Sequence, residues 1–405
     1  MLELRVLVLE DQPFQRGMLV NLFSALEGVS VDSSGTAEHA AALCELNRYD
    51  LVASDLVMPG VDGIQFIQHL AAQPHRPGLA LISSAPARMI AAARLMAESL
   101  GLAVLGFQPK PVSAADVAAL VARVRRHLAS ASADPAPDLV PVQATALELE
   151  HAMLDGQIMA WFQPKKSLQS GLVVAAEALV RWRHPQHGLL EPSRFLPLVA
   201  HHGLEATLLR HMLRSSIQAQ ARWRHAGFRI PVSINLPTHL LELPDLPDTL
   251  FELTCELGGH PADLCFELME TSTTERVSDY YAGACRLRMK GFGLSQDDFG
   301  QGLSSLHSLV STPFTEVKID RALVRGCARD AALHSAVSTV IALGSRLGVN
   351  IVAEGVETEG ELAALRKLGC NQVQGFLISR AVSPESFGQL LSQEGAAHGV
   401  PPPGR

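Results

Sequence analysis

In the first third of the chain, short apolar runs give way to acids, hydroxyls and a lysine. Glu10 and Asp11 follow Val6–Leu9, Asp55 follows Leu51–Ala53, Ser83 and Ser84 follow Leu79–Ile82, and Lys110-Pro111 lies beyond Ala103–Leu105. Acids that meet repel one another unless a cation sits between them, and oxygen-only donors of this kind suit Mg²⁺. One carboxylate could then act as nucleophile toward a phosphoryl donor, with the metal and Lys110 balancing the developing charge. A second set recurs further on: Glu177, Asn235, Glu267, the pair Asp297-Asp298, Lys318, Glu354 and Gln374. Four oxygen ligands from separate strands plus an adjacent aspartate can hold two divalent cations a few ångströms apart. That arrangement activates water and clamps a phosphodiester for in-line attack.

Such groups converge only if the elements beneath them do. Five apolar runs (Val6–Leu9, Val29–Val31, Leu51–Ala53, Leu79–Ile82, Ala103–Leu105) alternate with amphipathic stretches at βα spacing. They predict a doubly wound α/β sheet over residues 3–128, whose sites lie at the carboxyl ends of its strands. The Ala/Ser/Pro-rich segment at 129–143 has little to bury and reads as a linker. Beyond it, residues 144–394 alternate helical stretches with strands at Leu172–Ala178, Pro231–Leu236, Leu264–Met269, Gly293–Asp297, Glu316–Ile319, Asn350–Ala353 and Asn371–Val373. That pattern fits a (β/α) TIM-like barrel, whose strand ends face a single mouth. Residues 395–405, rich in Pro and Gly, read as a disordered tail.

Composition narrows the function classes. With 47% apolar and 18% charged residues the 405-residue chain can bury a core, so global disorder is excluded. Thirty-three Lys plus Arg against 41 Asp plus Glu give a net charge of −8, and no overall basic field exists for DNA. The uncharged stretch Ala331–Ser345 holds Ser, Thr and His and is too short to span a bilayer. The N-terminus carries charge within its would-be apolar region and does not read as a secretory signal, so the cytoplasm is the expected compartment. Six cysteines without a Cys-x-x-Cys pair suit buried thiols in a reducing compartment.

Val8-Leu-Glu-Asp11, Ser54-Asp-Leu-Val-Met-Pro-Gly-Val-Asp-Gly63, Ile82-Ser-Ser84 and Gln108-Pro-Lys-Pro111 resemble the receiver domain of two-component response regulators. That fold is flavodoxin-like. The resemblance implies that Asp55 accepts phosphate from a cognate sensor histidine kinase, with Glu10, Asp11 and Asp55 holding one Mg²⁺. It also makes Ser83 the hydroxyl switch, Phe107 the aromatic switch and Lys110 the partner of the phosphoryl group.

Trp161-Phe-Gln-Pro-Lys165, Glu177-Ala-Leu179, Phe266-Glu267, Asp297-Asp-Phe-Gly300, Lys318-Ile-Asp-Arg321, Glu354-Gly-Val-Glu357 and Gln374-Gly375 resemble the EAL family of cyclic-di-GMP phosphodiesterases. The resemblance implies hydrolysis of cyclic-di-GMP to the linear dinucleotide pGpG with two Mg²⁺ or Mn²⁺ ions. Glu177, Asn235, Glu267 and Asp297 are implied as metal ligands, with Asp298 on the second metal. Lys318 would orient the attacking water and Glu354 would be the general base. Arg181 would contact a substrate phosphate, while Gln163, Asp320 and Gln374 lie near the nucleotide. Glu270 is implied to anchor the loop after the paired aspartates. A homo-oligomer, dimer or tetramer, is implied as well. Departures from the family pattern fall at Met269, at Leu303 in place of the usual tyrosine, and at Ser379-Arg-Ala-Val, which lacks the usual proline. The other reading is a catalytically weak cyclic-di-GMP receptor signalling through protein contacts. The complete set of acids favours the enzyme.

Overall fold

The computed structural model describes residues 4–132, 142–269, 276–300 and 306–397. Chain contacts divide it into two units, Met1–Val140 and Pro141–Arg405. Glu270, Leu303, residues 133–141 of the expected linker and residues 398–405 of the expected tail lie outside the described residues.

The N-terminal strands are β1 (Leu4–Leu9), β2 (Val29–Ser34), β3 (Leu51–Ser54), β4 (Gly78–Ser83) and β5 (Val104–Pro109), all parallel, in the order β2-β1-β3-β4-β5. Side chains alternate across a strand, and here both faces are apolar. Leu7, Leu9, Val52, Leu79 and Leu81 fill one core layer, and Val6, Val8, Leu51, Ala53, Ala80 and Ile82 fill the other. Each layer is covered by helices, and several start signals are local: Pro13 opens one helix, while Thr36 and Asp62 cap two others by accepting from the amides of His39 and Gln65. β5 runs past the expected Leu105 because its pairing with β4 continues to Pro109, and this carries Lys110 to the sheet end. The last helix, Ala114–Ser132, continues into the expected linker, since Ala129–Ser132 sustain a helix and the first proline comes only at Pro135.

The C-terminal strands are β6 (Ile158–Ser167), β7 (Val173–His184), β8 (Gly188–Leu190), β9 (Val232–Asn235), β10 (Leu264–Met269), β11 (Gly293–Phe299), β12 (Glu316–Ile319), β13 (Asn350–Ala353) and β14 (Gln372–Val373). Their order is β6-β14-β13-β12-β11-β10-β9-β7-β8, and pairing of β6 with β7 closes eight of them into a barrel. β6 runs antiparallel to both neighbours. The sequence reading lacked β6 and β8, and it ended β7 too early. β7 pairs with β9 only over Ala176–Ala178; beyond that point it continues as a hairpin with β6 and β8. Glu177 is therefore mid-strand in the chain yet stands where the strand leaves the barrel wall. The final helix, Pro384–Ala397, takes in residues 395–397 of the expected tail.

The cysteine expectation needs correction. All six are free, but only Cys327 and Cys370 are buried, and Cys255 and Cys285 are exposed. Among the described residues no helix is long and apolar enough to cross a membrane.

Candidate functional site

At the carboxyl edge of the N-terminal sheet, Asp55 is 4% exposed and both its carboxylate oxygens are engaged. Oδ1 accepts from Ser83 Oγ at 2.6 Å and from the amides of Leu56 and Val57 at 2.6 and 3.2 Å. Oδ2 takes the Lys110 ammonium at 2.5 Å, and the same ammonium meets Glu10 Oε2 at 2.5 Å. Burial works against ionisation of Asp55, but the bonds from Lys110 and Ser83 lower its pKa below the ordinary aspartate value. One oxygen from each of Glu10, Asp11 and Asp55 lies within 4.8 Å of the others, a hard-oxygen set suited to Mg²⁺. Phe107, on β5, is 40% exposed rather than part of the core.

The barrel mouth is built around Lys318. Its ammonium lies 2.8 Å from Glu267 Oε2, Asp297 Oδ1 and Glu354 Oε1, and 3.3 Å from Glu177 Oε2. Burial alone would lower the Lys318 pKa, yet the carboxylates raise it well above the ordinary lysine value. Asn235 Nδ2 donates to Glu177 Oε1 at 3.3 Å. Gln374 Nε2 donates to Glu177 Oε2 at 2.6 Å and to Gln163 Oε1 at 3.0 Å. Arg181 pairs with Glu191 at 3.0 Å. Asp320 caps the helix Arg321–Val324 through the amide of Ala322, and its carboxyl also meets that of Asp298.

Adjacent residues on a regular strand point to opposite faces, so Asp297 and Asp298 should not share a site. A bulge resolves this: between Gln296 and Phe299, β11 carries one more residue than β12. Asp298 takes a left-handed conformation there, φ 54°. As a result, oxygens of Asp297, Asp298 and Glu354 lie within 4.8 Å of one another.

The mouth holds more negative charge than it neutralises. Glu177, Glu267, Asp297, Asp298, Glu354 and Asp320 gather there around Lys318, with Lys165 reaching Glu267 from beneath. Burial, with mutual repulsion added, raises the pKa of Glu177, Asp297 and Asp298. Burial pushes Glu354 up to about 8, with Lys318 opposing the rise and Asp297 and Glu177 adding to it. Glu267 is the exception, because the ammonium groups of Lys165 and Lys318 outweigh its burial and hold it at about 2. Excess charge carried by carboxylate and amide oxygens is the donor chemistry that divalent Mg²⁺ or Mn²⁺ fits.

Residues 146–381 match the EAL domain family, and residues 6–122 match the response regulator receiver domain family. The chain belongs to the EAL domain family. Its receiver and EAL domains together align with the cyclic di-GMP phosphodiesterase RocR of Pseudomonas aeruginosa, 31% identical over 388 residues, covering 95% of this chain and 98% of RocR. The bifunctional diguanylate cyclase/cyclic di-GMP phosphodiesterase MucR of the same organism is 36% identical over 248 residues, 60% of this chain and 36% of MucR. A solved structure of the PaMucR phosphodiesterase in complex with c-di-GMP has a TM-score of 0.56 and 34% identity, covering 60% of this chain and 98% of that one.

The structure brings Glu177, Asn235, Glu267, Asp297, Asp298, Lys318, Glu354 and Gln374 together at the mouth, while Arg181 meets Glu191. Sequence reasoning missed the layer beneath the mouth. Lys165, fully buried on β6, donates to Ser233 Oγ at 2.7 Å, Glu316 Oε1 at 2.7 Å and Glu267 Oε1 at 3.0 Å. Ser295 and Asn350 complete the shell of Glu316 at 3.2 and 3.0 Å. A signal existed: Ser233, Ser295 and Glu316 each stand two residues before Asn235, Asp297 and Lys318, on the same strand face one layer down.

Proposed function

We propose that the protein hydrolyses one phosphodiester bond of cyclic-di-GMP, giving pGpG, and that phosphorylation of Asp55 controls this reaction. The observation that carries the reading is the EAL mouth itself, where Lys318 is ringed by four carboxylates at 2.8–3.3 Å. The likeness to RocR along nearly the whole chain supports both the activity and the coupling.

Glu177, Asn235, Glu267, Asp297 and Asp298 would hold two Mg²⁺ or Mn²⁺ ions. Bound there, the ions supply positive charge to the phosphodiester and make the attacking water more acidic. Glu354 accepts the proton of that water; its side chain stands beside Asp297 and Asp298, with oxygens of all three within 4.8 Å of one another. Lys318 holds the Glu354 carboxylate at 2.8 Å and orients the water. As oxygen adds to phosphorus, the bond to the ribose 3′-oxygen breaks and that oxygen takes a proton from solvent to leave as a hydroxyl, while Glu354 holds the proton of the attacking water. Arg181 binds a phosphate through its planar fork, exchanging Glu191 for the substrate. Gln163, Asp320 and Gln374 position the nucleotide.

In the receiver domain, Glu10, Asp11 and Asp55 hold one Mg²⁺ and Asp55 is the phosphoryl acceptor. Lys110 and Ser83, already bonded to the two Asp55 oxygens, follow the phosphoryl group, and Phe107 relays the change. A sensor histidine kinase is the phosphodonor. Incubation with cyclic-di-GMP and Mg²⁺, with and without acetyl phosphate, tests the reading. Linear product whose rate changes with acetyl phosphate is expected; nucleotide bound but never cleaved would make the protein a receptor.

A further inference from the structure

The EAL mouth rests on a second, fully buried ammonium that the mechanism leaves unused. β6 runs against its neighbours, so stepping two residues along it descends from the mouth, where Gln163 meets Gln374, to Lys165 in the layer below. Lys165 has 0% exposure, and its three N–H donors are all spent, on Ser233, Glu316 and Glu267 Oε1. None remains for substrate, and among its described partners Glu267 is the one expected to hold a metal. Apolar side chains in place of Lys165 and Glu316 together would fill the same space without the cost of burying charges, so stability alone does not account for this pair.

We infer that Lys165 is a positioning residue which, by occupying Oε1 of Glu267, fixes that carboxylate to present Oε2 alone to the mouth. Oε2 lies 2.8 Å from Lys318, on the side where Asp297 and Glu354 converge. A carboxylate free to rotate could offer either oxygen or both to an ion. One pinned between two ammonium groups offers a single atom in one place, which suits the demanding geometry of a small divalent ion. Partners that orient a metal ligand typically contribute about 10–100-fold in metal affinity. The inference rests on Glu267 being a metal ligand.

The test is Mn²⁺ binding by the full chain, followed by electron paramagnetic resonance and calorimetry, in the paired variant Lys165→Met/Glu316→Gln. Removing both charges together avoids stranding Glu316 as a buried anion. The receiver site contributes equally in every variant, so differences report the EAL mouth. Mn²⁺ binding should weaken about 10–100-fold, while the melting temperature and the KM for cyclic-di-GMP at saturating Mn²⁺ stay near wild type and turnover recovers as Mn²⁺ is raised. A merely structural role would lower the melting temperature without moving the Mn²⁺ dependence, and wild-type Mn²⁺ affinity in the paired variant overturns the inference. If that variant does not fold, Ser233→Ala removes one of the oxygens holding the ammonium. A several-fold weaker Mn²⁺ affinity is expected from it, and unchanged affinity overturns the inference. Glu267→Gln separates the two claims: if it binds Mn²⁺ as tightly as wild type, Glu267 is no ligand, and that reading falls together with the role of Lys165.

Discussion

Replacing Glu354 by Gln should cost activity and add stability, a pairing that a structural residue would not give. In the metal-free protein burial and neighbouring acids lift this carboxyl from the ordinary 4.5 to about 8. An acid that keeps its proton longer folded than unfolded makes stability fall as pH rises, here from about 4.5 to about 8. At about 1.4 kcal/mol per pH unit, the penalty reaches on the order of 4 kcal/mol at most by pH 8. Glutamine is nearly isosteric, never ionises, and keeps an oxygen for the 2.8 Å contact with Lys318. In EDTA the variant should match wild type near pH 5 and grow more stable than it toward pH 8. Urea unfolding followed by tryptophan fluorescence reads this directly, because Trp161, Trp182 and Trp223 all lie in the C-terminal unit. Turnover should drop about 10²–10⁴-fold with little change in nucleotide affinity, as a general base acts in the transition state. A variant less stable than wild type at pH 8, or losing affinity and turnover in equal measure, would refute the assignment.

Asp55→Asn should take up no phosphoryl group from acetyl phosphate, read by intact mass; labelling equal to wild type would move the acceptor elsewhere. Glu177→Ala and Asp297→Ala should each abolish hydrolysis, and Ca²⁺ should inhibit wild type because its longer, looser coordination disturbs a site for smaller ions. Product formed at the wild-type rate in either variant contradicts the two-metal assignment. Gly63→Ala would place a Cβ 2.4 Å from the Asp55 carbonyl oxygen and 2.6 Å from Leu56 Cα, both backbone atoms. It should destabilise the N-terminal unit by about 1–3 kcal/mol, seen as faster hydrogen exchange of the β3 amides, and unchanged exchange would contradict that steric argument.

The receiver fold was legible because each strand is a short apolar run bounded by turn residues, and its site because those runs end in acids, a serine and a lysine. The EAL strands from β9 to β13 were legible for the same reason. β6 was not: Pro164 and the lysines break its apolar alternation, and its antiparallel direction depends on pairing with distant β7 and β14. The bulge at Asp297-Asp298 was hidden: both acids were expected at the site, but nothing in the pattern shows the extra residue that lets a strand present them together. Lys165 and Glu316 were visible only as a motif residue and a strand start, because their contact depends on the ring closing and not on either segment alone.

Hydrolysis of cyclic-di-GMP at the acid-ringed mouth around Lys318 can be read from its product. Chromatography of cyclic-di-GMP incubated with Mn²⁺ and either wild-type protein or Glu177→Ala measures it most directly. Wild type is expected to convert the nucleotide to pGpG while Glu177→Ala leaves it intact. Intact cyclic nucleotide with wild type, or equal conversion by both proteins, would contradict that expectation.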